Sequence, residues 1–368
     1  MRIGIDARMY GPKVGGGGLG RYVEQLVTKL QETDQENRYI LFLKKENFEA
    51  CKIINPNFEK RLADFHWYTV AEQFFFPRII DREKLDLVHF PHWNVPLMMK
   101  TPFVVTIHDL ILLDDPSSAK ATTLGPLLYT IKRFGYRTSL INAVLMGKKI
   151  IAVSEATKLS ILKHFPRVKA EKVQVVYEGV TALNSNQPHQ GQEKKNLLYV
   201  GNSYPHKNLK TLIDAFKILS VKKPEAKLIL VGHKDLFSEA IEKYVLAKKI
   251  EKIEFFRDVD DTKLAELYAS AKIYVFPSRL EGFGLPALEA MSMEIPVISA
   301  KAGSLPEILG EAAAYFDPNN TTELAELMEK LWHDENQQKK LIAKGLEQIK
   351  KYSWVKMAKE IKNIYQKI

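Results

Sequence analysis

The sequence predicts an α/β protein built as two doubly wound domains that face each other across a cleft. Three observations carry that expectation. Short β-branched apolar runs alternate with longer stretches of helical period along the chain, the pattern of parallel sheets covered by helices on both faces. Near the middle, the polar stretch "TALNSNQPHQGQEKK" has no periodicity and no apolar anchor, and a strand and helix series starts afresh on each side of it. At 368 residues the chain also exceeds the size at which one hydrophobic core usually keeps growing. The expected divisions are residues 1–182 for the first domain, 183–195 for the linker, 196–352 for the second domain and 353–368 for a closing helix.

The first domain opens on the strand "RIGID". Residues 11–27, "GPKVGGGGLGRYVEQLV", then set four consecutive glycines before a helical pattern. Such a run can make a phosphate-cradling turn, but it has neither the Walker-A order nor a tight G-x-G-x-x-G, and an open lid fits it equally. The runs "RYILFL" and "LDLVHF" follow, and "FVVTIHD" places His108 and Asp109 at a strand end. Ligands of such sheets bind beyond the carboxyl ends of the strands, which favours a cleft position for His108 over a buried structural one. Residues 127–149 mix apolar side chains with Lys132, Arg133, Arg137, Lys148 and Lys149, so a peripheral contact with anionic lipid stands beside the simpler reading of a core helix with a solvated basic face. "KIIAVS" ends at Ser154, a candidate N-cap for the next helix, and "VQVVY" closes the series.

In the second domain "NLLYVG" leads into "NSYPHKN", where Lys207 stands at the mouth of a helix whose Leu209, Leu212, Ile213 and Phe216 face a core. A lysine there can meet a phosphate as a mobile point charge, or be one exposed lysine among many. "KLILVG", "IEFFRD" and "IYVFPS" come next, and after the last of these runs "SRLEGFGLPALEA". Pro286 marks the first position of a helix whose free N–H groups and positive dipole end face the loop of Glu281, Gly282, Phe283 and Gly284. Glycines let a ligand approach the backbone and carboxylates accept from paired hydroxyls, so the stretch suits a sugar joined to a phosphate; a solvated glutamate and a favourable first-turn charge fit the spacing too. "PVISA" and "AAAYFD" complete the sheet, and "YSWVKMAKEIKNIYQKI" ends the chain as an amphipathic helix carrying Trp354, Met357, Ile361 and Ile364 on one stripe.

Composition narrows the classes. Hydrophobic residues at 46% and charged residues at 27% are those of an ordinary globular protein, and no apolar stretch approaches the length of a bilayer span. The first ten residues carry charges where a signal peptide needs a hydrophobic segment, so a cytoplasmic protein is expected, with any membrane contact peripheral and at the inner face. The single cysteine, Cys51, excludes an intrachain disulfide framework and a Cys-rich zinc site. A net charge of +10 favours anionic partners, yet no basic run is interleaved with stacking aromatics, and no nucleic acid partner is expected. No His/Asp/Glu cluster has metal-ligand spacing.

Taken together, the stretches "VSE", "GNSYPHKN", "EGFGLPALE" and "GSLPEILGEAAAYFDP" resemble the retaining glycosyltransferases of the large E-x(7)-E family, the family 4-like enzymes with the two-Rossmann GT-B fold. The resemblance runs nearly end to end, and its most specific element is the pair Glu281 and Glu289. It implies that Glu289 holds the ribose hydroxyls, that Glu281 contacts the donor sugar, and that the amides of Phe283, Gly284 and Leu285 lie against sugar and phosphate. It further implies that Lys207 binds the diphosphate, that His108 lies beside the donor sugar, and that Gly17 and Gly18 meet phosphate and acceptor. Lys207, Glu281 and His108 are the implied catalytic residues, with Asn202 and Ser278 counted among the donor-binding ones. Many relatives carry arginine where this chain has Asn202, which leaves more of the neutralisation to Lys207 and to backbone amides, unless Arg279 or Arg257 contributes. The form G-N-x-x-P-H-K-N is similar to the mannosyltransferase-like subgroup that acts on surface polysaccharides, often with GDP-mannose; a UDP-sugar is the alternative donor. The implied acceptor is a glycan or a lipid-linked glycan, taken by the first domain, and the closing helix is implied to cross back onto that domain. The implied reaction is transfer with retention by same-face attack, without cofactor, metal or protein nucleophile. A sugar-nucleotide epimerase of the same fold and a non-catalytic anion-binding protein are the competing classes. A dinucleotide oxidoreductase is disfavoured, because the fingerprint and its acidic ribose partner are missing from both first βα turns.

Overall fold

Each of the twelve apolar runs forms a strand in the computed structural model, which describes residues 1–115, 126–181 and 194–368, without the side chains of 126–133. The expected linker, residues 183–195, lies almost wholly outside the described residues, as do the side chains of Lys132 and Arg133. The chain divides into two compact units: Met1–Leu110, Thr122–Gly179 and Ser353–Ile368 form the first, Ile111–Ala121 and Val180–Tyr352 the second.

The sheet of the first unit contains β1 (Arg2–Asp6), β2 (Arg38–Leu43), β3 (Phe58–Leu62), β4 (Leu87–Phe90), β5 (Phe103–Ile107), β6 (Lys149–Ala152) and β7 (Val173–Val175) in the spatial order 3-2-1-4-5-6-7, all parallel. β3, "FEKRL", is the strand that apolar patterning does not reveal. It lies at the sheet edge, where Glu59, Lys60 and Arg61 blunt the open ladder, and Arg61 is fixed by Glu59 at 2.7 Å and by Glu83 at 2.6 Å.

The sheet of the second unit contains β8 (Asn196–Val200), β9 (Lys227–Gly232), β10 (Ile253–Arg257), β11 (Ala271–Phe276), β12 (Val297–Ala300) and β13 (Ala313–Phe316) in the order 10-9-8-11-12-13, again parallel. Both sheets reverse winding direction beside their first strand. In such sheets the loops after the strands on either side of that reversal form the ligand-binding end. Strands β4, β5 and β12 are buried along their whole length, as two-sided helical cover requires.

The helix Trp354–Tyr365 belongs to the first unit. It buries Trp354, Met357, Ile361, Ile364 and Tyr365 along the helix Gly17–Thr33, each such side chain contributing roughly 1.5–3 kcal/mol by leaving water. Ser353 caps it by accepting from the Lys356 amide, and Lys362 reaches Asp34 at 3.2 Å. Among the described residues no helix is long and apolar enough to cross a membrane.

Candidate functional site

The polar groups of the second unit gather at the carboxyl ends of β8 and β11. After β8 the chain makes a 3₁₀ turn, Pro205–Lys207, and Asn208 takes a left-handed conformation (φ 59°) before the helix Leu209–Lys222. Asn208 is the tie that fixes this turn. Its amide donates to the carbonyls of Pro277 at 3.1 Å and Pro318 at 2.8 Å, and its oxygen accepts from Thr211 at 2.8 Å. The Arg279 amide adds a second tie to the His206 carbonyl at 2.8 Å. These bonds bring the turn against the loop after β11, where Lys207 Nζ donates to Glu281 Oε1 at 2.7 Å, with the two side chains only 14% and 9% exposed.

The loop itself is equally determined. Gly284 precedes the helix Leu285–Ser292 at φ 103°, and a Cβ there would meet Leu305 at 3.0 Å and Phe276 at 3.2 Å, so only glycine fits. Leu285 opens the helix and Pro286 stands second rather than first, a position that equally tolerates the missing N–H. Phe283 anchors the loop in the core, edge-on to Tyr352, while Ser304 donates to the Glu281 carbonyl at 2.9 Å. Glu289, fifth in the helix, is buried, and the Tyr268 hydroxyl lies 3.2 Å from its Oε2. Ser278 is fully buried, and its hydroxyl has no hydrogen-bond partner among the described residues. The surroundings are dry: burial first, then the charge of Glu281, holds the Tyr199 hydroxyl well above its ordinary range. His206 is pushed down to about 4 by burial and then by the charge of Lys207, so it is neutral.

The first unit presents its own polar set after β1 and β5. His108 follows β5, with Nδ1 3.1 Å from Glu178 Oε1 and Nε2 2.9 Å from the Pro91 carbonyl. Burial alone would lower its pKa, but the Glu178 hydrogen bond and charge outweigh that and raise it, which favours an imidazolium that donates at both nitrogens. Ser154 caps the helix Glu155–His164 as expected, and Thr157 in that helix donates to the His108 carbonyl at 3.0 Å. Gly17 and Gly18 lie exposed in the first turn of the helix Gly17–Thr33, behind Gly16 at φ 73°. The glycine run is folded as a turn, with the Gly11 amide donating to the Gly20 carbonyl at 3.1 Å. Among the described residues no group of three or more His, Cys, Asp or Glu side chains could hold a metal ion.

These two constellations can now be set beside known proteins. The family model Glycosyltransferase Family 4 matches residues 16–182, and the model Glycosyl transferases group 1 matches residues 181–348. The chain belongs to the family 4-like glycosyltransferases of the GT-B fold. It is 28% identical to the O-antigen chain mannosyltransferase B of Escherichia coli over 76% of this chain and 74% of that one. Against the O-antigen chain mannosyltransferase RfbU of Salmonella typhimurium the identity is 29%, over 73% and 71%. Among solved structures, Anabaena HepE in complex with UDP and glucose superposes with a TM-score of 0.76 at 17% identity, covering both chains fully.

Within the glycosyltransferase, the structure brings Lys207, Ser278, Glu281, Phe283, Gly284, Leu285 and Glu289 into one unit and places Gly17, Gly18 and His108 in the other. Asn202 accepts from Tyr199 through its carbonyl at 2.7 Å and from the Tyr204 amide through its side chain at 3.3 Å. Of the two arginines that could replace the missing charge there, Arg257 is bound to Glu242, whereas Arg279 is exposed with no ion-pair partner among the described residues. A cavity of about 20 Å³ after β8, β9 and β10 is lined by Gly201, Gly232, Phe256 and Arg257 among others. Sequence reasoning misses Asn208, Glu178, Ser304 and Tyr268. Asn208 and Glu178 carry the signal of a polar residue directly after a strand or turn, in "HKN" and "VVYEGV"; Ser304 and Tyr268 act across long sequence separations and carry none.

Proposed function

We propose that the chain is a retaining hexosyltransferase that moves a hexose from a nucleotide-diphosphate sugar to a glycan or lipid-linked acceptor in surface polysaccharide synthesis, on the cytoplasmic side. GDP-mannose is the favoured donor, because the O-antigen relatives are mannosyltransferases. A UDP-sugar is the alternative that the Anabaena neighbour suggests.

One observation carries the reading: a cation and a carboxylate, Lys207 and Glu281, are held 2.7 Å apart in a nearly dry site beside the amino end of the helix Leu285–Ser292. When the donor enters, Lys207 turns to the diphosphate and Glu281 takes sugar hydroxyls, so the pair exchanges one charge-assisted partner for another without leaving a charge stranded. Glu289 holds the ribose hydroxyls. In the transfer the bond from the anomeric carbon to phosphate oxygen breaks with its electron pair on the phosphate. The acceptor oxygen forms the new bond from the same face, and its proton passes to the departing phosphate oxygen. Lys207 and the helix amides stabilise the charge that develops there, which is where electrostatic catalysis is strongest. The reaction uses no resident cofactor or divalent metal, so chelation leaves turnover unchanged.

A thermal-shift panel of GDP-, UDP- and ADP-sugars tests the donor assignment. A ligand present at about 100 times its Kd stabilises the folded state by about 2.7 kcal/mol, or roughly 5–11 °C for a domain of this size. A shift with GDP-mannose alone is expected. A shift with UDP-glucose alone replaces the donor, and no shift with any of the three removes the nucleotide-sugar reading.

A further inference from the structure

The first unit has a second polar site at the opposite end of its sheet from His108. Lys149 opens β6 and Lys172 immediately precedes β7, so both stand at the amino ends of these paired parallel strands, whereas His108 follows the carboxyl end of β5. Together with Lys148, Arg167 and Lys169 they line a cavity of about 350 Å³ in which five cations meet a single carboxylate, Glu171.

The geometry is fixed by the main chain. The helix Pro126–Met146 ends at Gly147, whose amide donates to Ala143 at 3.2 Å, and the Lys148 amide donates to the Phe103 carbonyl at 2.7 Å. Lys149 and Lys172 donate to the carbonyls of Glu171 at 2.8 Å and Leu145 at 2.6 Å. The other three cations, Lys148, Arg167 and Lys169, are exposed and have no ion-pair partner among the described residues. Crowding is felt within the cluster: burial and then the charge of Lys148 lower the pKa of Lys172. A surface that concentrates like charge in this way loses folding stability through self-repulsion and regains it by binding anions.

What lies beside the cavity decides which anion. Ile141, Leu145 and Met146, on the last turns of the same helix, are 41%, 46% and 66% exposed. Apolar side chains standing in water next to unpaired cations are the composition of a surface that seats on lipid, cations on headgroup phosphates and apolar tips at the acyl boundary. We propose that the amino-terminal edge of β6 and β7, with the end of the helix Pro126–Met146, docks the protein on an anionic phospholipid bilayer. This surface is separate from the residues assigned to donor chemistry, and the proposal stands or falls without them.

The test is co-sedimentation of the full chain with vesicles of phosphatidylcholine alone or mixed with phosphatidylglycerol. The wild type sediments with the mixed vesicles only, and more weakly as salt is raised. The triple variant Lys148→Gln, Arg167→Gln, Lys169→Gln loses about 100-fold in partition, since each basic side chain near such a surface contributes roughly fivefold. The double variant Leu145→Ser, Met146→Ser loses roughly tenfold. None of these side chains is buried, so the variants melt no lower than the wild type, the triple variant somewhat higher as self-repulsion is relieved, and donor-induced shifts are retained. Equal binding to both vesicle types, absence of binding, or an unaltered triple variant would overturn the proposal. So would stabilisation by inorganic phosphate or retention on single-stranded RNA without vesicle binding, which would make the cavity a site for a free anion or a nucleic acid.

Discussion

Replacing Lys207 by alanine separates the ion pair the structure shows from the diphosphate contact proposed for this side chain. In the resting protein Lys207 neutralises Glu281 across 2.7 Å, with both side chains largely withdrawn from water. Alanine leaves that carboxylate without its cation, at a cost of about 1–3 kcal/mol, or a fall of roughly 2–12 °C in Tm. Catalysis loses more, because in the proposed mechanism Lys207 also meets the charge that develops on the leaving diphosphate. An electrostatic contact of this kind is worth about 10²–10³ in kcat. The two losses have different signatures. Removing Glu281 as well, in Lys207→Ala with Glu281→Ala, takes away the stranded carboxylate, so the double variant melts above the single Lys207→Ala variant while remaining inactive. Initial rates with a saturating donor, together with melts of the two single variants and the double variant, complete the cycle. A Lys207→Ala enzyme that melts lower yet turns over within about threefold of wild type would show that the ion pair is structural and that diphosphate stabilisation comes from elsewhere.

Three further outcomes follow from the same coordinates. Glu289→Ala removes a buried acceptor from the proposed ribose position while Tyr268 keeps the Pro286 carbonyl at 3.2 Å as a partner, so the fold survives and nucleotide affinity by calorimetry drops about 10- to 100-fold; an unchanged affinity contradicts the role. Gly179→Ala puts a Cβ 2.2 Å from the Trp354 amide nitrogen and 2.5 Å from its ring, which forces the helix Trp354–Tyr365 to shift and costs about 1–3 kcal/mol in urea titrations; a change below about 0.5 kcal/mol would mean that the helix is loosely held. Acid sensitivity comes from three neutral histidines. Burial, followed by nearby positive charge, holds His89 and His92 down to about 3 and His206 to about 4. Their folded pKa values lie below the unfolded one, so the unfolded chain binds protons first and stability falls as pH drops from about 6.5 towards 4, by up to about 1.4 kcal/mol per pH unit for each. His108, raised by Glu178, works in the opposite sense and only near and above its unfolded value. A urea midpoint that is flat between pH 6.5 and 4.5 would refute the buried neutral state.

How far the sequence reveals this molecule depends on whether a feature is local. Fully covered strands announce themselves as apolar runs, which is why twelve of the strands are legible and β3, with three charged residues among its five, is not. Lys207 and Glu281 stand out because each stands between a strand and the next helix, and Glu289 because it lies inside the helix Leu285–Ser292, eight positions after Glu281. Their mutual geometry does not. It depends on Asn208 reaching Pro318, 110 residues away, on Ser304 reaching the Glu281 carbonyl and on Tyr268 reaching Glu289, none of which leaves a pattern within one segment. His108 shows the same limit. A histidine at a strand end is visible, but the partner that fixes its charge, Glu178, is 70 residues on.

The helix Trp354–Tyr365 connects that histidine to the rest of the first unit by two routes. Along one, the Tyr365 hydroxyl meets His89 Nδ1 at 2.6 Å, His89 Nε2 meets Thr106 at 2.8 Å, and Thr106 meets the Tyr22 hydroxyl at 3.1 Å. The Tyr22 ring then stands edge-on to His108 with centroids 4.6 Å apart. Along the other, Trp354 packs on Gly179, the neighbour of Glu178. Every polar member of the first chain is fully buried, so each depends on the next for its hydrogen bond, and loss of one leaves another unsatisfied at about 1–3 kcal/mol. A neutral His89 has one donor and one acceptor to offer, which fits two hydroxyl neighbours; a protonated one would have two donors and no compensating charge nearby. The same acidification that charges His89 therefore turns both hydroxyl neighbours into acceptors and buries an uncompensated charge, which weakens the link between this helix and Tyr22. The His108 ring meanwhile keeps its own bonds to Glu178 and the Pro91 carbonyl.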